Sequence, residues 1–136
     1  MTPRFITGFT VALHDTDAAG VLFFAHLFRH AHDAYEALMA EIGWPLPGLI
    51  RAGEVALPLV HAEADYMRPM HHGDRVEVQV QVRHIGRASF RVDYRFLDAA
   101  GDLAATAGTV HACIRLADQQ SVRLPAALVE ALGSFA

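Results

Sequence analysis

The sequence predicts an α+β domain, with one long helix held against a five-stranded, largely antiparallel sheet. Three features carry this. Apolar residues recur at three- and four-residue steps from Phe24 to Ile42, after Gly53 the period changes to two, and turn residues separate the alternating stretches. The 136 residues fit one domain, 1–136, with no room for a second core.

Phe5 to His14 is rich in Thr, Val and Phe and reads as the first strand. Asp15-Thr16-Asp17-Ala18-Ala19-Gly20 then marks a turn. In the helix, Phe24, Leu27, Phe28, Ala31, Ala34, Tyr35, Leu38, Met39 and Ile42 form one wide stripe. Gly43, Pro45 and Pro47 supply its stop. A second strand runs roughly from Val55 to Met67. Val76, Val78, Val80 and Val82 alternate with polar residues, as do Phe90, Val92, Tyr94 and Phe96, giving two strands joined by a hairpin at His84-Ile85-Gly86-Arg87. Roughly Leu103 to Leu116 is apolar on both faces, so it is expected inside the sheet. Pro125 to Leu132 reads as a short terminal helix. The sheet's outer face and edges need covering, so a homo-oligomer is expected, a dimer or a tetramer.

Composition excludes several classes. Hydrophobic residues are 53% and charged residues 19% of the chain, which rules out disorder. The net charge of -4 argues against a nucleic-acid partner. No stretch approaches the roughly 18 apolar residues of a membrane span. The start, Met1-Thr2-Pro3-Arg4-Phe5, lacks the apolar core of a signal peptide, so a cytoplasmic location is expected. The single cysteine, Cys113, allows neither an internal disulfide nor a cysteine-based zinc site. None of the three serines lies in a Gly-x-Ser-x-Gly elbow.

The chemistry concentrates at His14-Asp15-Thr16-Asp17-Ala18-Ala19-Gly20-Val21. Two carboxylates stand just before a helix whose first N–H groups have no partner within the helix. No Ser, Thr, Asp or Asn stands directly before Phe23 to cap them. Such a terminus favours developing negative charge. A carboxylate beside an oxyanion site is what ester or thioester cleavage requires. Taken alone, an Asp-x-Asp pair more often only closes a turn.

The run from Asp15 to Phe24, followed by the long helix, resembles the signature of the 4-hydroxybenzoyl-CoA thioesterase family. The resemblance continues through Ala56-Leu57-Pro58-Leu59-Val60-His61-Ala62 and Pro69-Met70-His71-His72-Gly73-Asp74. Within the family, Leu57–Ala62 and Ala31-His32-Asp33-Ala34-Tyr35-Glu36 are most similar to 1,4-dihydroxy-2-naphthoyl-CoA thioesterases. The resemblance implies a hotdog fold and hydrolysis of an aromatic acyl-CoA to the carboxylate and free coenzyme A. It implies no cofactor, coenzyme A being part of the substrate. It makes Asp17 the catalytic carboxylate, as nucleophile or as general base on water, and Phe24 the residue whose backbone N–H receives the thioester oxygen. Asp15 would shape the turn, and Gly20 would let the chain bend before the helix. His26 departs from the amide residue often found there; it either faces the acyl group or simply lies in the first helical turn. Arg87 and Ser89, at the hairpin, match positions that hold coenzyme A, with Arg91 and Arg95 weaker candidates.

Three rivals stand beside this reading. His26, His30 and Asp33 share a helix face and could be joined by His14, Asp15 and Asp17 around a metal, but no His-Glu-x-x-His occurs, so no metal is expected. Glu36 or Asp33 could be the carboxylate, as in another hotdog branch, but the His-Gly-Gly run of that branch is missing. A short aliphatic acyl-CoA could be the substrate, or the domain could bind acyl-CoA without cleaving it. Trp44, Phe23, Phe28, Tyr35 and Tyr66 could wall an acyl pocket, though such aromatics are more often core.

Overall fold

The structure, a computed structural model, describes residues 4–136. The opening Met1–Pro3, on which the leader argument rests, lies outside the described residues. Five strands form one sheet in the order β1 (Phe5–Thr10), β4 (Arg75–Arg83), β5 (Ser89–Leu97), β6 (Leu103–Ala112), β3 (Leu59–Tyr66). Every ladder is antiparallel. The long helix α1 (Phe24–Glu41) lies on the inner face. Its buried stripe of Leu27, Ala31, Ala34, Tyr35, Leu38 and Met39 shares one core with the alternate residues Val76 to Val82 and Phe90 to Phe96. Each Leu, Met, Val or Phe among them contributes about 1.5–3 kcal/mol by leaving water. The period-two alternation and the helical stripe are thus two halves of one interface.

Three strand boundaries differ from expectation, and one further helix appears. The first strand stops at Thr10, and Leu13–Asp15 form a 3-10 turn, because the Asp15 carboxylate accepts the Ala12 N–H at 2.9 Å and closes the chain on itself. The second strand is split into β2 (Val55–Ala56) and β3 around Leu57-Pro58, since proline has no N–H for a ladder. The last is split into β6 and β7 (Ile114–Arg115) at Cys113, whose N–H turns to the Ala88 carbonyl at 2.8 Å. The sequence reading has no helix between α1 and the second strand, yet α2 (Leu46–Ala52) follows at once. Pro45 is its N-cap and Pro47 sits in its first turn, where a missing N–H costs no helical bond. The terminal helix α3 (Ala126–Leu132) is as expected. Among the described residues no helix is long and apolar enough to cross a membrane.

The two ends of the sheet carry different things. Pairing places the end of β1, the start of β4 and the end of β3 together. The β4–β5 hairpin, the start of β3 and the end of β6 lie at the other end, about 25–30 Å away along nine-residue strands. On the outer face Arg91 binds Glu63 at 2.6 Å and Asp93 at 2.7 Å. Its guanidinium lies where a Cβ of Gly108 would be, so the glycine makes this bridge possible.

Candidate active site

The segment before α1 is a small hairpin. Asp17 N–H donates to the Val21 carbonyl at 2.9 Å and Phe23 N–H to the Asp15 carbonyl at 2.9 Å, with Gly20 at the bend in the left-handed region, φ 75°. The Pro69–Asp74 run braces this loop: Leu22 N–H donates to Met70 at 2.7 Å and His72 N–H to Gly20 at 3.1 Å. The apparently separate motifs of the sequence are therefore one construction.

The two aspartates have opposite environments. Asp15 is buried, with 1% of its side chain exposed, against the Arg29 guanidinium and 3.1 Å from His30 Nε2. Burial alone would raise its pKa. The Ala12 N–H, His30 and Arg29 outweigh that and hold the carboxyl below the usual range. Burial also lowers the pKa of His30, with Asp15 opposing, and its ring stacks on Phe9 at 3.6 Å. Asp15 is thus a brace between loop and helix, in line with its expected structural role. Asp17 is exposed. Its Oδ1 accepts the Ala19 N–H at 2.9 Å and the Val21 N–H at 3.4 Å, closing the turn. Its Oδ2 makes no hydrogen bond among the described residues. One oxygen fixes the carboxylate, and the other is available for chemistry.

Helix α1 begins without a side-chain cap at Phe23. Among the described residues neither the Phe24 nor the Ala25 N–H has a hydrogen-bond acceptor, while His26 N–H bonds to Phe23. The first two donors are therefore open, with the positive end of the helix dipole behind them. Tyr66, on β3, donates its hydroxyl to the Phe24 carbonyl at 2.5 Å and holds the helix start against the sheet. The sequence reading cast Tyr66 only as a candidate wall; 42 residues separate the pair, so no local spacing could reveal the bond.

Three hollows surround these elements. One of about 330 Å³ lies between Val21-Leu22 and Tyr66–Met70. A second, about 280 Å³, lies between Phe28, Arg29 and His32 of α1 and Leu59, Ala62 and Thr109. The third, about 400 Å³, is lined by Arg87, Ala88, Ser121, Val122 and Arg123. Arg87 is thus joined by Arg123 and Ser121, which the sequence reading did not single out. Ser89 is not among them: it is half-buried at the start of β5, its carbonyl accepting the Gly86 N–H at 2.7 Å. The fold makes the Arg87–Arg123 meeting, because Leu124 N–H donates to the Arg87 carbonyl at 2.8 Å. His26 packs edge-on to Phe23, ring centres 5.9 Å apart, and lines none of these hollows. Of the suggested aromatic walls, Phe28 lines the second hollow and Tyr66 the first, while Tyr35 is core.

Of the rival constellations, the suggested metal set comes together only in part, at His30 and Asp15. Among the described residues no three His, Cys, Asp or Glu side chains group as metal ligands. Asp33 is 63% exposed and at 3.9 Å from Arg29, and Glu36 points to solvent. Arg91 is tied into the outer-face ion pairs.

Comparison with known proteins fits this geometry. The profile of the thioesterase-like superfamily matches residues 11–132. The chain belongs to this family. Its fold is the hotdog fold. A 1,4-dihydroxy-2-naphthoyl-CoA hydrolase of Synechococcus elongatus is 47% identical over 112 residues, 82% of each chain. The crystal structure of a 1,4-dihydroxy-2-naphthoyl-CoA thioesterase from Synechocystis superposes with a TM-score of 0.90 at 35% identity, over 96% of both chains. A DHNA-CoA thioesterase from Staphylococcus aureus shares the fold, at a TM-score of 0.84 and 21% identity over 89% of this chain and 80% of that one. Within this thioesterase family the matched stretch contains both the Asp17 loop and the helix start.

Proposed function

We propose that this thioesterase-family protein hydrolyses an aromatic acyl-CoA, of the 1,4-dihydroxy-2-naphthoyl or 4-hydroxybenzoyl type, to the carboxylate and free coenzyme A. The observation that carries the reading is the pairing of a half-free carboxylate, Asp17, with an uncapped helix start on the same hairpin. The thioester oxygen would accept the Phe24 N–H, which stabilises the negative charge that develops during attack. Asp17 Oδ2 would either attack the carbonyl carbon, expelling the coenzyme A thiolate and leaving an anhydride for water to cleave, or take a proton from the attacking water. The relatives named for 1,4-dihydroxy-2-naphthoyl-CoA support the aromatic acyl group.

The working unit in this reading is a homodimer joined edge to edge along β3. That strand is exposed on both faces, including Leu59, Val60 and Tyr66, and its outer hydrogen-bonding edge is unpaired within the sheet. The arginine hollow and the Asp17 loop lie at opposite ends of one chain's sheet. Antiparallel pairing of two β3 strands about a twofold axis sets the arginine end of one copy beside the Asp17 end of the other. Arg87 and Arg123, with Ser121, would then hold the phosphates of a coenzyme A whose thioester reaches the second copy.

The test is thiol release from a panel of aromatic, short aliphatic and long aliphatic acyl-CoAs by wild type and Asp17→Asn. Aromatic turnover that collapses in the variant supports the reading. Fast turnover of short aliphatic thioesters alone would move the substrate class. Binding without turnover of any member would make the domain an acyl-CoA binder.

A further inference from the structure

The hollow beside Phe28 is mostly apolar in surface, and Thr109 on its wall leads into a buried polar cluster with Tyr94 and His111. The register puts Ala62 opposite Thr109 and Ala64 opposite Ala107, with Val92 and Tyr94 opposite the same β6 pair. These residues share the inner face, where small side chains on β3 and β6 leave room beneath α1. Phe24, Phe28 and His32 follow at four-residue steps and so lie along one helix face. Phe28 is one turn, about 6 Å, from the open Phe24 N–H. An aryl group whose carbonyl sits at Phe24 would extend along that face into the hollow.

Thr109 lies at the hollow and is 3% exposed. Its Oγ1 is 3.0 Å from the Tyr94 hydroxyl and 3.0 Å from His111 Nε2. Burial pushes the His111 pKa down to about 4, so the ring is neutral at pH 7. Tyr35 stacks on it at 4.1 Å and Phe90 at 5.3 Å. Threonine has one hydroxyl proton and two lone pairs. When the proton goes to either neighbour and the other neighbour donates back, one lone pair is left. When both neighbours donate, the proton is left. In every arrangement Thr109 keeps one hydrogen-bonding capacity. Tyr35 Oη is buried without a hydrogen bond in the same cluster, while His111 also faces the Leu57 backbone. Buried polar atoms left unpaired are uncommon and ask for an explanation. A ring hydroxyl, able to donate or accept, satisfies Thr109 in each case; a bare aryl edge satisfies none.

Building on the thioesterase reading above, we infer that Thr109, oriented by Tyr94 and His111, binds a hydroxyl on the aromatic ring of the acyl group and sets a preference for hydroxylated aryl thioesters. The preference is measured with matched pairs, 4-hydroxybenzoyl-CoA against benzoyl-CoA and 1-hydroxy-2-naphthoyl-CoA against 2-naphthoyl-CoA. The readout is the ratio of kcat/KM within a pair, which cancels any general loss of folded enzyme. Wild type should favour the hydroxylated member by about tenfold or more in at least one pair. Thr109→Val, similar in volume but without the hydroxyl, should reduce that ratio toward one, and Thr109→Ser should restore most of it. A ratio near one in wild type for both pairs, or an unchanged ratio in Thr109→Val, overturns the inference while leaving the thioesterase reading intact. Failure of wild type to cleave any aryl thioester overturns both.

Discussion

The two edges of the sheet are built on opposite plans. At the β1 edge, Phe9 stacks on His30, Asp15 is clamped between His30 and Arg29, and Phe135 packs edge-on against Phe5 at 5.9 Å. At the β3 edge, the inner face carries Ala62 and Ala64, the helix leaves a hollow, and apolar side chains face outward. One chain thus has a closed half that fixes the loop and an open half with space for a ligand and a partner. The difference teaches that the rigid support of the loop and the space for a ligand are separated laterally across a single sheet.

The most damaging change expected is at the loop that the closed half holds in place. Asp17→Asn keeps the Oδ1 acceptor of the turn and removes the charge, so turnover should fall by about 10²–10⁴-fold with the melting temperature nearly unchanged. A variant that retained full thiol release would remove Asp17 from the mechanism. Next comes the brace itself. Asp15→Ala leaves the Ala12 N–H, His30 and Arg29 without their shared acceptor and should destabilise the fold by about 3 kcal/mol in urea titration. Arg29 is 44% exposed, which keeps the effect below that of a fully buried pair.

Acid should reveal the histidines of both halves. Folding lowers the His111 pKa from 6.5 to about 4, so the unfolded chain binds the proton first. The stability this provides is complete above pH 6.5 and is lost as the pH falls toward 4, by about 3 kcal/mol. His30 shifts in the same direction. Melting temperatures measured between pH 7 and 4 should fall steeply in wild type and less steeply in His111→Gln. The gentlest perturbation compares the edges directly. Ile6 on β1 is 56% exposed and Val60 on β3 is 60% exposed. A lysine at either site should change monomer stability by less than about 0.5 kcal/mol. In sedimentation, Val60→Lys should yield monomers and Ile6→Lys should not. Equal masses for the two variants would take the subunit contact away from β3.

Much of the closed half was legible because it is periodic. The stripe of α1 and the alternations of β4 and β5 each require a partner of matching period, and each found the other. The turn from Asp15 to Gly20 and the uncapped helix start were legible because turn and helix-start chemistry is local, whereas the roles given to Asp17 and Phe24 came with the family resemblance. What was missed is non-local or ambiguous. Tyr66 reaches Phe24 across 42 positions, and Arg123 meets Arg87 only because Leu124 hydrogen-bonds back to it. His30 sits among polar residues on the helix, and nothing in the spacing says it turns inward to Asp15. Pro45 and Pro47 are equally good at ending one helix and starting another, and here they do both.

The uncapped start of α1 has a consequence for how this protein can be improved. An acceptor at position 23 is among the cheapest stabilising changes available to a helix, at about 1 kcal/mol for Ser or Asp. In this chain its oxygen would bond the Ala25 N–H, next to the Phe24 N–H that the thioester needs, and an aspartate there would set a negative charge where the oxyanion forms. A selection scoring heat resistance alone would therefore favour Phe23→Asp and discard the catalyst, whereas one scoring turnover would keep the helix bare. The molecule's thermal ceiling and its activity are set against each other at one residue, so screens for robust variants must carry the reaction along with the heat step.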